Sequence, residues 1–84
     1  FKISSGTVVT FGRESRCDMV YPPDTPGVSR RQCVISYERG GLLIVDEHST
    51  YGTMVSGYRL QPDTRYELRS GDTITFGNEG YVLE

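Results

Sequence analysis

Hydroxyl and guanidinium side chains gather at three places in the chain where a short apolar stretch ends or begins. Arg13 follows the first apolar stretch, Ser29 and Arg30 follow a proline-rich stretch, and Thr50 lies in a polar stretch. A phosphate dianion is bound by two or three charge-assisted donors, such as a guanidinium, a hydroxyl and a backbone N–H in a turn. The same residue types also suit surface ion pairs and turn-stabilising hydroxyls. They make an anion site only if the fold brings the three places together.

Asp46, His48 and Ser49 carry the side chains of a hydrolytic triad but stand too close together in sequence to form one. A nucleophile, its base and the orienting acid normally converge from separate elements. His48 is the only histidine, and Asp46, Glu47 and Asp72 lack the spacing of metal ligands. No glycine-rich nucleotide-binding loop occurs. We therefore expect a protein that is not an enzyme and that needs no cofactor and no metal.

Length and composition favour one small all-β domain. The 84 residues include 20 Val, Ile and Thr and no alanine, with 10 glycines and 4 prolines. A net charge of −2 argues against non-specific nucleic-acid binding, and the longest apolar run, 42–45, is too short to insert into a membrane. Cys17 and Cys33 fit neither a disulfide framework nor a zinc site. They predict free thiols in a reducing, cytoplasmic compartment.

Apolar stretches recur at intervals of roughly ten residues, which is the pattern of a β-sandwich or barrel. The candidate strands are 7–11, 32–37, 42–46, 53–55, 65–68, 73–76 and 81–83. In the second of these, Cys33, Ile35 and Tyr37 alternate onto one face. Glycine turns predict two hairpins, one joining 32–37 to 42–46 and the other joining 65–68 to 73–76. No window has the apolar spacing of an amphipathic helix.

The order and spacing of four segments resemble those of a forkhead-associated (FHA) domain. The segments are 12–13, 29–35, 46–57 and 68–77, and the resemblance runs from about residue 7 to the end. It implies an all-β fold, an antiparallel β-sandwich of about ten to eleven short strands without substantial helix. In this family the loops at one end bind phosphothreonine peptides. The family usually has a further strand before the one that ends at Gly12. We therefore expect residues 1–84 to be a single FHA-like domain, excised from a longer protein and clipped at its first strand.

The resemblance also implies a role for each matching residue. Four residues would contact the phosphothreonine: Arg13, Ser29, Arg30 and Thr50. Three would lie along the bound peptide or set its selectivity: Arg31, Tyr51 and Gly52. Two would support the site from within the fold: Gly12 and Gln32.

Two residues depart from the family's pattern. Gln32 stands where the family has a histidine that braces the binding loops, and glutamine can still donate and accept hydrogen bonds. Tyr51 stands where the family has an asparagine that bonds the ligand backbone, and tyrosine offers no amide. We expect the Tyr51 ring to pack against its own loop rather than to stack on a ligand side chain.

The expected function is therefore the binding of a phosphothreonine in a protein partner or in the same parent chain, by a domain that we expect to be monomeric. The alternative is an FHA-like sandwich that binds a protein partner independently of phosphate. The two departures at Gln32 and Tyr51 motivate that alternative.

Overall fold

The computed structural model describes residues 7–83, and these residues form nine β-strands and no helix. The strands are β1 (Val8–Gly12), β2 (Met19–Val20), β3 (Cys33–Glu38), β4 (Gly41–Asp46), β5 (Met54–Val55), β6 (Tyr58–Arg59), β7 (Tyr66–Leu68), β8 (Thr73–Phe76) and β9 (Glu79–Val82). The family strand expected ahead of β1 falls outside the described residues. The predicted all-β class is confirmed.

The strands make two sheets that pack as a sandwich. The five-stranded sheet has the order β2-β1-β3-β4-β7 and the four-stranded sheet the order β6-β5-β8-β9. All pairs of strands are antiparallel except β1 with β2. Among the described residues no helix is long and apolar enough to cross a membrane.

The core forms because alternate residues of the longer strands point between the sheets. In the predicted hairpin of β3 and β4, Cys33 pairs with Asp46 and Ile35 with Ile44. Cys33 and Ile35 are buried as predicted, while Tyr37 at the end of that face is half-buried. The buried apolar residues of the core are Phe11, Tyr21, Val28, Cys33, Ile35, Ile44, Val55, Leu60, Leu68, Ile74 and Phe76.

The second predicted hairpin is wrong. β7 pairs with β4 in the larger sheet, whereas β8 pairs with β5 and β9 in the smaller one. The turn between them crosses from sheet to sheet and bonds to the end of β9: Gly71 N–H donates to Leu83 O (2.7 Å) and Leu83 N–H donates to Asp72 O (2.9 Å). Leu68 and Ile74 therefore enter the same core from different sheets.

Tyr21 anchors the proline-rich segment 21–27 to the sandwich. Its N–H donates to Gly12 O at the end of β1 (2.9 Å), and its ring meets Phe76 edge-on at 5.7 Å. Its hydroxyl forms a hydrogen bond with the hydroxyl of Tyr81. Burial raises the pKa of Tyr21, and this hydrogen bond raises it further by a smaller amount. The segment that leads to Ser29 therefore starts from a fixed point in the core.

Candidate functional site

Three segments that are distant in sequence meet at one end of the sandwich. The Arg13 N–H donates to Ser29 O (3.1 Å), which joins the end of β1 to the segment before β3. The Thr50 N–H donates to Ser29 Oγ (2.8 Å), which joins that segment to the loop between β4 and β5. The end of the sandwich thus carries the three places that the sequence singled out.

Arg13 has its guanidinium fixed by backbone carbonyls. Nε donates to Val28 O and Nη1 donates to Pro23 O, both at 2.6 Å. A guanidinium has five N–H donors in a planar fork, so three N–H groups remain for another acceptor. The two carbonyl bonds also hold the proline-rich segment in place, so Arg13 has a structural role in addition to its unused donors.

Ser29 and Thr50 connect the segment before β3 to the loop between β4 and β5 through a hydrogen bond. Ser29 Oγ accepts the Thr50 N–H, so the hydroxyl hydrogen of Ser29 stays available to an acceptor. The Thr50 side chain is exposed, and no hydrogen bond of its hydroxyl to another described residue is present. The Ser29 hydroxyl therefore lies against the Thr50 backbone, and each of the two hydroxyls keeps an unused hydrogen.

Gln32 connects the same two loops from beneath, and its side chain is fully buried. Its Oε1 accepts the Ser29 N–H (2.9 Å), while Nε2 donates to Gly52 O (3.0 Å) and to Thr53 Oγ1 (2.9 Å). A buried amide is stable when its polar atoms have partners. Glutamine thus makes the loop-bracing contacts expected of the histidine that it replaces.

Asp46 is a buried carboxylate, whereas its position in the sequence suggested only the catalytic and metal-binding roles that were set aside above. Oδ1 accepts the hydroxyls of Ser49 (2.5 Å) and Thr53 (2.7 Å), and Oδ2 accepts the Ser49 N–H (3.1 Å). The Asp-x-x-Ser spacing was the signal, since such pairs close local turns by side chain to backbone bonds. Asp46 extends the buried network from Gln32 through Thr53.

The contacts of the loop do not assemble a catalytic triad. The Ser49 hydroxyl is committed to Asp46, and His48 pairs instead with Asp63 in an exposed position. Within residues 7–83 no group of three or more His, Cys, Asp or Glu side chains is arranged to hold a metal ion.

Arg30 and Arg31 differ in their surroundings. Both side chains are exposed. Arg31 Nε forms an ion pair with Glu47 Oε2 at 3.1 Å, which ties it to the start of the β4–β5 loop. The Arg30 guanidinium has no hydrogen bond or ion pair to any residue in 7–83, while its backbone carbonyl accepts the Glu14 N–H (3.0 Å). Arg30 therefore has a fixed backbone and a free cationic end.

Gly12 and Gly52 stand where a side chain would not fit. A Cβ on Gly12 would lie 2.2 Å from Arg30 O, so only glycine lets β1 pass beneath the Arg30 backbone. Gly52 has a φ of 90°, and a Cβ there would lie 2.6 Å from Nε of Arg59. Arg59 is a neighbour of the site that the sequence did not indicate, because the position of Arg59 depends on how β5 and β6 pair.

Tyr51 extends into solvent. The residue is 72% exposed, so the expectation that its ring packs against its own loop is wrong. It lies on the wall of a shallow groove that continues over Gly52 and Met54 to Gly77 and Asn78.

Both cysteines are free thiols, as expected. Burial, and then the charge of Asp46, raises the pKa of Cys33 in the core. Cys17 lies nearer the site, with its Sγ 3.7 Å from Arg30 O. Burial raises the pKa of Cys17, and the negative charge of Glu14 raises it further by a smaller amount. Both thiols are therefore protonated at neutral pH.

The fold and these contacts agree with comparisons to known proteins. Residues 9–77 match the model of the FHA domain family, so the chain belongs to the FHA domain family. Transcription factor 19 of Sus scrofa is 37% identical over 73 residues, which cover 81% of this chain and 21% of that protein. The chain spans about a fifth of the length of the curated relatives it matches first.

Solved FHA structures share the fold over nearly the whole chain. One, from a study of phosphothreonine-dependent FHA domain interactions, has a TM-score of 0.80 and 28% identity, covering 98% of this chain and 79% of the other. The N-terminal FHA domain of Rad53 from S. cerevisiae, solved with a phosphothreonine peptide, has a TM-score of 0.74 and 34% identity, covering 93% of this chain and 62% of the other.

Proposed function

We propose that this domain binds phosphothreonine in a protein partner through the end of the sandwich that carries Arg13, Ser29, Arg30 and Thr50. The observation that carries the proposal is the hydrogen bond from the Thr50 N–H to Ser29 Oγ, which joins two loops at the end of the sandwich where Ser29 O also accepts the Arg13 N–H. The two FHA domains described above, one studied for phosphothreonine-dependent interactions and one solved with a phosphothreonine peptide, support it.

The chemistry is the reversible recognition of a dianion. A phosphorylated threonine carries about −1.5 to −2 charges at neutral pH. The three unused N–H groups of Arg13 and the free guanidinium of Arg30 would donate charge-assisted hydrogen bonds, and Ser29 and Thr50 would add hydroxyl donors. Hydrogen bonds to charged groups contribute roughly 1.5–3 kcal/mol each. Because the phosphate oxygens would accept most of these hydrogen bonds, the unphosphorylated peptide should bind much more weakly.

We infer that the domain binds its partner without catalysing a reaction and that it acts in the cytoplasm. Ser49 and His48, the side chains that a hydrolytic mechanism would need, are bonded to different acids, Asp46 and Asp63. The partner is a phosphorylated protein, or a phosphorylated segment of the same parent chain.

The experiment measures, by titration calorimetry, the affinity of individual phosphothreonine peptides from a library and of their unphosphorylated counterparts. Arg13→Ala should abolish binding, but it also removes the two bonds to Val28 and Pro23. Arg30→Ala is the cleaner companion because its side chain has no partner in 7–83, and it should weaken phosphopeptide binding by about tenfold or more without loss of stability. Arg69→Ala, an exposed arginine beyond β7, is the matched control. Unchanged affinity in both Arg13→Ala and Arg30→Ala would refute the proposal.

A phosphate-independent interaction is the second candidate. Tyr51 lacks the amide of the family's asparagine, and its exposed ring lies beside a groove that could receive a protein surface. A partner that binds equally well with and without phosphate would establish this function in place of the first. The calorimetric comparison of phosphorylated and unphosphorylated peptides separates the two.

A further inference from the structure

Arg59 lies against the loop that joins β4 to β5, although it is 46 residues from Arg13 in the sequence. β5 and β6 are antiparallel, with Met54 directly opposite Arg59. Gly52 precedes Met54 by two residues, and the Arg59 side chain reaches it. Nε would lie 2.6 Å and the guanidinium carbon 3.1 Å from a Cβ placed on Gly52. The guanidinium thus covers the backbone between Tyr51 and Thr53.

The Arg59 guanidinium is positioned without being neutralised. Arg31 and Arg65 form ion pairs with Glu47 and Glu38, and Arg13 bonds two carbonyls. The Arg59 guanidinium has no hydrogen bond or ion pair with any residue described between 7 and 83, and its side chain is exposed. Packing on Gly52 restricts the side chain, so less conformational entropy is lost when it binds an acceptor.

We propose that Arg59 recognises the carboxylate of an acidic residue that flanks the phosphothreonine. The proposal rests on the proposed function, because a phosphate bound over Ser29 and Thr50 places the neighbouring peptide residues beside Gly52. An extended peptide advances roughly 3.3 Å per residue, so a residue near the phosphothreonine comes within reach of a side chain that covers Gly52.

A carboxylate is the acceptor that suits Arg59 best. The planar fork of a guanidinium matches the two oxygens of a carboxylate, whereas a backbone carbonyl offers only one. Tyr51 provides no amide for the ligand backbone, so a contact beside it adds grip where this chain departs from its family. The ligand would then be doubly acidic, with its phosphate toward Arg13 and Arg30 and its carboxylate on Arg59.

The test uses the 84-residue chain and phosphothreonine peptides in which Glu or Gln occupies, one at a time, each position near the phosphothreonine. Calorimetry at low and high salt measures each pair of peptides against wild type, Arg59→Gln, Arg59→Lys and the remote control Arg69→Gln. At one position Glu should bind about two- to fivefold more tightly than Gln, with the smaller difference at high salt. Arg59→Gln should abolish that difference, Arg59→Lys should retain part of it, and Arg69→Gln should leave it unchanged.

Each other outcome contradicts the proposal. If no position prefers Glu, or if Arg59→Gln keeps the preference, Arg59 does not read a carboxylate. If Arg59→Gln weakens Glu and Gln peptides equally at every position, Arg59 bonds the ligand backbone instead. If phosphorylated and unphosphorylated peptides bind alike, the proposed function fails and this inference fails with it. A selective loss of the Glu preference, with phosphate dependence retained, is the result that supports both.

Discussion

Ser29 Oγ accepts a 2.8 Å hydrogen bond from the backbone N–H of Thr50, across 21 residues of sequence. The same serine accepts the N–H of Arg13 at its carbonyl and donates its own N–H to Gln32 Oε1. Ser29 is therefore bonded to each of the other segments that form this end of the sandwich. Its hydroxyl orients the Thr50 backbone, and under the proposed function its remaining hydrogen would be donated to a phosphate oxygen.

Replacing Ser29 with alanine should lower stability and phosphopeptide affinity together. The Thr50 N–H loses its acceptor, which costs about 1 kcal/mol of unfolding free energy, and the phosphate loses a donor. Urea denaturation and calorimetry on the same preparation measure both effects. Ser70→Ala, at an exposed turn remote from the site, is the control and should change neither. Wild-type affinity in Ser29→Ala would exclude the serine from the phosphate site.

Replacing Gln32 with alanine should be among the most destabilising substitutions in the chain. It removes three hydrogen bonds and leaves buried partners without acceptors or donors, with an expected loss of about 3 kcal/mol. Gln61→Ala, at an exposed glutamine, should cost less than about 0.5 kcal/mol. Chemical denaturation compares the two. Similar stabilities in the two variants would mean that Gln32 does not brace the loops.

Replacing Gly52 with alanine tests the packing of Arg59. Gly52 and Gly71 have nearly the same φ, 90° and 91°, but a Cβ on Gly71 meets nothing within 4 Å. Both substitutions pay the backbone cost of roughly 1–2 kcal/mol. Gly52→Ala should cost about 1 kcal/mol more, because it displaces Arg59.

The excess cost of Gly52→Ala should disappear in an Arg59→Ala background. Chemical denaturation of the four proteins in this double-mutant cycle measures the coupling between the two residues. An excess that persists without Arg59 would show that the crowding at Gly52 has another source.

The β3–β4 hairpin shows what the sequence could determine. Cys33 and Ile35 alternate with residues that point outward, and a glycine turn precedes the next apolar stretch. The register of the two strands and the side chains that point into the core therefore both follow from the local pattern. β7 and β8 carry the same kind of local pattern, yet they join different sheets. The pattern specifies that Leu68 and Ile74 face a core, but the choice of partner strand depends on tertiary contacts that no local stretch encodes.

Some features of the candidate site could likewise be predicted from the sequence, and others could not. Arg13, Ser29 and Thr50 could be named in advance because their types and order carry the family pattern. The ion pair of Arg31 with Glu47 and the packing of Arg59 on Gly52 could not, since both depend on how the strands pair. Asp46 entered the sequence analysis only as part of a triad and a metal set that were both set aside, because its buried hydrogen bonds with Ser49 and Thr53 appear only when its strand is placed.

Stability should fall in alkaline solution because the folded state holds protons that the unfolded state releases. The pKa of Cys33 is raised by burial and by Asp46, and that of Tyr21 by burial and by Tyr81. An unfolded thiol ionises near about pH 8.5. Above that pH the unfolded chain binds fewer protons than the folded one, so the unfolding free energy should decrease by up to about 1.4 kcal/mol per pH unit for each such group.

Urea denaturation between pH 7 and pH 10 in a reducing buffer measures this slope. The unfolding free energy should be constant below about pH 8 and should fall as the thiol of the unfolded chain titrates. It should fall more steeply at about pH 10, where tyrosine in the unfolded chain ionises. Cys33→Val should remove the first part of the decline, and Cys17→Ser should leave most of it. A wild-type curve that stays level to pH 10 would contradict the burial of both groups.

The position of the phosphate is tested most directly by backbone amide NMR during titration with one peptide in its phosphothreonine and unmodified forms. Saturable shifts are expected at the amides of Arg13, Ser29, Arg30 and Thr50 with the phosphorylated peptide. No such shifts are expected with the unmodified peptide, and none with either peptide at Arg39 and Gly40, at the tip of the β3–β4 hairpin. Equal shifts with both peptides, or shifts concentrated at the hairpin tip, would contradict phosphate binding at the end of the sandwich that carries Arg13.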